Sequence, residues 1–109
     1  MSTSALVKVE GVEGVALYVH ADGYPESLGA QLETFNKAFE ARRPGDPSYK
    51  FARLVQFLTN EYDKAVRHAA PYAGTLGFGL CDGRRGVGKD WADYRYTLCK
   101  GRIDWMKGR

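Results

Sequence analysis

The apolar spacing of this chain changes period once, between Tyr18 and Gly29, and that change limits its fold more than any other feature. Upstream, Ala5, Val7 and Val9, then Val15, Leu17 and Val19, recur at every second position. That is the period of a strand with one buried face. Downstream, Leu28, Leu32, Phe35 and Phe39 recur at spacings of four, three and four, which makes one apolar helical stripe. A strand therefore hands over to a helix inside a segment that also carries His20, Asp22, Gly23, Tyr24 and Pro25.

The remainder of the chain follows from the same periodicities. Residues 5–20 read as a hairpin turning at Gly11-Val12-Glu13-Gly14, with Tyr18 and His20 on the face opposite Leu17 and Val19. Asp22-Gly23 reads as a tight turn in which glycine takes a positive φ. Pro25 suits the first turn of a helix over 25–42. Arg42-Arg43-Pro44-Gly45 interrupts the chain, and Asp46 and Pro47 then cap and start a second helix over 48–69. Its stripe of Phe51, Leu54, Val55, Leu58, Tyr62, Val66 and Ala69 stops before Pro71. Leu76–Cys81, Tyr94–Cys99 and Arg102–Lys107 read as strands, the last two joined by Lys100-Gly101. The order β-β-α-α-β-β-β predicts an α+β fold: an antiparallel sheet of about five strands with both helices packed on one face. Residues 1–109 are expected to form a single α+β domain. The uncovered face is expected to be rich in tyrosine and charge and open to solvent, a ligand or a second subunit.

Composition removes several classes. No apolar run approaches the roughly 18–20 residues of a membrane helix, and no basic segment followed by an apolar block opens the chain. A cytoplasmic location without membrane contact is expected. Two histidines far apart carry no metal-site signature. Cys81 and Cys99 lack ligand spacing and are expected to be reduced strand cysteines, with a disulfide between neighbouring strands as the alternative. No cofactor is implied. The net charge of +3 is uneven: residues 84–109 hold eight Lys or Arg against three Asp. A basic terminal third suits a phosphate-bearing or acidic partner.

The loop Gly83-Arg84-Arg85-Gly86-Val87-Gly88-Lys89-Asp90 has the spacing of a phosphate-binding P-loop up to its last position. Asp90 stands where Ser or Thr would bind magnesium, and the following segment is strand-like, so an NTPase is excluded. A glycine-rich loop bearing three cations still suits an anion. His20 lies two residues before Asp22, a pair suited to general base chemistry, but no serine or cysteine stands on a recognisable nucleophile elbow. His68, near the end of the second helix, suits the helix dipole. Aromatics interleaved with cations (Trp91, Tyr94, Arg95, Tyr96, Arg102, Trp105) offer stacking surfaces. They lack the signature of common RNA-binding sheets, so nucleic acid is not the expected partner.

Across Tyr18–Gly29 the chain resembles a group of small bacteriophage and prophage proteins with a His-x-Asp-Gly-Tyr-Pro motif, most of unassigned function. Those proteins usually carry an aromatic where this chain has Ala21, and a later acidic-aromatic strand in them is similar to Trp91–Tyr96 here. The resemblance implies a phage setting, in which small proteins often antagonise bacterial defence by covering an effector or sequestering a signalling nucleotide. The expected function is thus a non-enzymatic counter-defence protein that binds a host defence protein or a phosphate-bearing small molecule. The expected site combines His20, Asp22 and Tyr24 with Arg84, Arg85, Lys89, Tyr94, Arg95 and Arg102, and a homodimer is expected through an edge strand or the open face. The alternatives are a small hydrolase or transferase using His20 and Asp22, and a self-assembling structural phage protein.

Overall fold

The computed structural model describes residues 3–66, 77–82 and 92–108. Strands β1 (Ala5–Val9) and β2 (Val12–Val19) form the opening hairpin. Its turn is tighter than the glycines suggested: Glu10 and Gly11 make the reversal, and Val12 to Gly14 already belong to β2. A π-helical turn (Pro25–Gly29) leads into α1 (Ala30–Arg42), followed by α2 (Pro47–Val66), β3 (Phe78–Asp82), β4 (Tyr94–Cys99) and β5 (Arg102–Lys107). The fold is α+β, and the periodicities place each element. The predicted end of the second helix at 67–69, His68, and the glycine-rich loop with Arg84, Arg85 and Lys89 lie outside the described residues.

The five strands run in the order β3-β2-β1-β4-β5. Three neighbouring pairs are antiparallel, but β1 pairs with β4 in parallel, Val7 opposite Tyr96 and Val9 opposite Leu98. The sheet is therefore mixed, where an antiparallel one was expected. β1 lies inside the sheet because it is buried on both faces. Val7 and Val9 face the helices, while Leu6, 2% exposed, faces the other way. A strand apolar on both sides belongs in the sheet interior. With β2 on one edge of β1, the other edge takes β4.

Leu28, Leu32, Phe35, Phe39, Phe51, Leu54 and Leu58 from the helical layer bury against Val7, Val9, Leu17, Val19, Tyr96 and Leu98. The opposite face is not open throughout. Leu6, Ala16 and Ala92 form a second buried cluster with Tyr18 and Cys81 packed on it, so the centre of that face belongs to the protein's own interior. Both cysteines are free. They stand on β3 and β4, separated by two intervening strands, which at about 4.8 Å per step is too far for a disulfide. Burial pushes both thiols above their usual range.

Polar pins tie the layers together. Asn36, 4% exposed, donates to the carbonyls of Cys99 (3.0 Å) and Arg102 (3.3 Å), fastening α1 to the β4–β5 turn. Lys50, 3% exposed, reaches Glu40 at 2.6 Å and joins α2 to α1. Asp46 caps α2 by accepting from the Tyr49 N–H at 3.4 Å, and Pro47 occupies its first position, as the sequence implied.

Candidate functional site

The strand-to-helix junction is held by its backbone. His20 N–H donates to Gly77 O at 2.7 Å, and Gly23 N–H to Thr3 O at 2.8 Å. Asp22, not Gly23, takes the positive φ, at 59°, a conformation that aspartate tolerates better than most residues. Gly23 serves close approach instead. A Cβ there would meet Ala5 Cβ at 2.8 Å and Thr3 O at 2.9 Å. The buried Tyr96 hydroxyl donates to the Gly23 carbonyl at 2.6 Å, locking the turn onto β4. Burial, with Tyr94 and Glu26 nearby, raises the Tyr96 pKa well above that of a free tyrosine. From the carbonyl of Tyr24 the chain winds directly into helix. It accepts from Ser27 and Leu28 at 3.0 Å and from Gly29 at 3.5 Å, the last bond giving the wide π turn.

This frame builds one wall of a cleft of about 350 Å³. Val19, Leu28, Leu58 and Phe78 give it an apolar floor, and His20, Asp22, Ser27, Gln31, Glu61 and Tyr62 give it a polar lining. The Tyr62 ring meets Phe78 edge-on at 5.5 Å and so couples α2 to β3 across the floor. His20 Nδ1 lies 2.9 Å from the Tyr18 hydroxyl, so the period-two neighbour on the same strand face orients the imidazole. The cleft combines two carboxylates, two hydroxyls, an amide and an imidazole over hydrocarbon, a composition suited to a ligand with an apolar body and hydrogen-bond donors.

Of the site residues expected from the sequence, His20 and Asp22 come together here. Tyr24 is exposed at the helix start but does not line the cleft. Tyr94 faces the helical side, its ring 5.8 Å from Trp105 and 6.4 Å from Tyr96. Arg95 lies on the opposite face, where its Nη2 contacts Met106 Sδ at 3.3 Å. Arg102 stands at the far end of the sheet, beside Cys99, while His20 follows the end marked by Ala5, Val19 and Tyr94. There Arg102 pairs with Asp104 at 3.0 Å, which holds the aspartate below the usual carboxylate range and raises the guanidinium. Apart from His20 and Asp22, the described members of the expected surface therefore occupy separate places.

Sequence reasoning missed Ser27, Gln31, Glu61 and Tyr62. The first two are one helical turn apart and face the same way as His20's turn, a spacing that was readable. Tyr62 reads as a core position because it falls on the α2 stripe. Among the described residues no cluster of His, Cys, Asp and Glu could hold a metal, and no helix is long and apolar enough to cross a membrane. No family model, curated protein or solved structure matches the chain.

Proposed function

We propose that this chain is a non-enzymatic, phage-type counter-defence protein that binds and blocks a host immune component, with the His20 cleft as its recognition site. The observation that carries the reading is that the segment with the phage-protein resemblance, Tyr18–Gly29, supplies His20, Asp22, Ser27 and Leu28 to a cleft with a polar rim and an apolar floor. The target is a protein effector or a signalling nucleotide. The carboxylates of Asp22 and Glu61 suit the donor groups of either, an amide or ammonium on a protein or the exocyclic amine and hydroxyls of a nucleoside. A homodimer through β5 accompanies this reading, because that edge strand exposes Trp105 on one face and Met106 on the other. The working compartment is the host cytoplasm.

The test is expression of the chain in bacteria carrying single, defined anti-phage systems. Phage plating is expected to rise at least about tenfold on one of them, and to fall back with Asp22→Asn combined with Glu61→Gln. Unchanged plating on every system would overturn the proposal.

A second reading, a small hydrolase or transferase, is favoured by one observation: Ser27 lines the same cleft as His20 and Asp22. If purified protein releases product from nitrophenyl esters or cyclic nucleotides, and His20→Ala abolishes that turnover, catalysis replaces binding. Native mass spectrometry separates the dimer from a self-assembling phage component, which would run beyond two subunits.

A further inference from the structure

Between α1 and α2 lies a second concavity, of about 630 Å³. Each helix gives it one stripe. Phe35, Ala38, Phe39 and Arg42 come from α1 at spacings of three, one and three, and Tyr49, Arg53, Gln56, Phe57 and Asn60 from α2 at four, three, one and three. Arg43, just past α1, closes one end. The floor is aromatic: Phe35 lies 5.6 Å from Phe57, and Phe39 lies 6.1 Å from Tyr49. The rim holds three arginines and no acid.

The arginines are organised, and largely uncompensated. Arg53 donates to the Tyr49 hydroxyl from Nε (3.1 Å) and Nη2 (2.6 Å), and to Gln56 Oε1 from Nη1 (2.8 Å). These acceptors are neutral, so they fix the guanidinium plane while leaving its full charge. Arg43 lies 4.1 Å over the Tyr49 ring and is balanced by Asp46 at 3.0 Å. Arg42 has no ion-pair partner among the described residues. The groove is thus a trough whose accessible apolar surface comes from Ala38, Tyr49 and Phe57, with buried Phe35 and Phe39 beneath, under a net positive rim.

We propose that this groove docks an acidic amphipathic helix of a partner protein. This surface is separate from the His20 cleft, and the inference does not depend on that reading. Three observations select the occupant. The rim matches carboxylates in charge, and a guanidinium meets a carboxylate with paired hydrogen bonds. The trough runs between two helices, its lining spanning residues 35–42 of α1 and 49–60 of α2, about 11 and 17 Å of rise, which accommodates roughly two turns of a third helix with apolar anchors at i, i+3 and i+4. The exposed Tyr49 ring offers a base no free face, because Arg43 and Arg53 lie over it.

The test measures binding by fluorescence anisotropy to the intact protein. The probe is a labelled alanine-based helical peptide with Leu anchors on one face and Glu along both flanks. Controls replace every Glu with Gln, replace the Leu anchors with Ala, or substitute a labelled single-stranded oligothymidylate. The Glu–Leu peptide is expected to bind, to weaken at least about tenfold when either Glu or Leu is removed, and to weaken further as salt rises. Arg42→Gln with Arg53→Gln is expected to cost about tenfold in affinity, with an unchanged melting temperature because both side chains are exposed. Equal binding of the Gln peptide, absence of binding by the Glu–Leu peptide, or tighter binding of the oligonucleotide would each overturn the proposal. The peptide series reads the wild-type protein, so the result stands whether or not the double variant folds.

Discussion

The two concavities are built by opposite means. The His20 cleft draws on β2, the π turn, α1, α2 and β3, and its frame is fastened at the backbone: His20 N–H to Gly77 O, Gly23 N–H to Thr3 O, and the Tyr96 hydroxyl to the Gly23 carbonyl. The arginine groove is assembled by neighbours within and between two helices, its guanidinium groups held by side chains four and three residues away. Its own floor residues Phe35 and Phe39 are core, but its charged rim is solvent-exposed and adds little to folding. Side chains at the first site are therefore expected to be coupled to stability, and rim side chains at the second to be nearly independent of it.

The sharpest break of that contrast is Leu28→Ala. Leu28 is 2% exposed and belongs both to the cleft floor and to the main core. Its truncation is expected to cost about 3 kcal/mol in urea unfolding. Gly23→Ala follows at about 2 kcal/mol, since the added Cβ meets Thr3 O and Ala5 Cβ and the turn must shift. A change below about 0.5 kcal/mol would show that close approach does not dictate this turn.

Tyr96→Phe is expected to cost about 1 kcal/mol by leaving the Gly23 carbonyl without its donor. It also carries a pH signature. The folded pKa of Tyr96 lies above the unfolded value of about 10. Its contribution is therefore complete below about pH 10 and is lost as pH rises toward the folded pKa. Denaturation midpoints should fall more steeply above pH 10 in the wild type than in Tyr96→Phe. The smallest expected effect lies in the groove. Tyr49→Phe removes the acceptor of two Arg53 bonds on an exposed surface, and stability should stay within about 0.5 kcal/mol. A larger loss would erase the contrast between the two sites.

Much of the architecture was readable from spacing. Ala5, Val7, Val9, Leu17 and Val19 lie on one buried face, and Leu28, Leu32, Phe35, Phe39, Leu54 and Leu58 meet it from the helices. Leu6 was the overlooked signal. It is an apolar residue on the strand's other face, and it marked β1 as an interior strand and the second face as partly buried. Of the six polar residues of the cleft, His20 and Asp22 were visible. Glu61 and Tyr62 were not, because nothing local in α2 shows which residues its last described turns will overhang. The cationic groove was hidden for a similar reason. Arg42-Arg43 reads as a chain break, and only the packing of α2 beside α1 turns it into a rim around Tyr49 and Arg53.

Spacing alone was enough to separate strand from helix and to show which side of most elements seeks the core. Those properties follow from the repeat of side chains along a single element. Tertiary structure alone decided that β4 joins β1 in parallel, that Tyr96 closes the Gly23 turn, and that the charged residues fall into separate sites. Such outcomes depend on which faces and edges compete for the same partners, and that competition exists only once the elements meet.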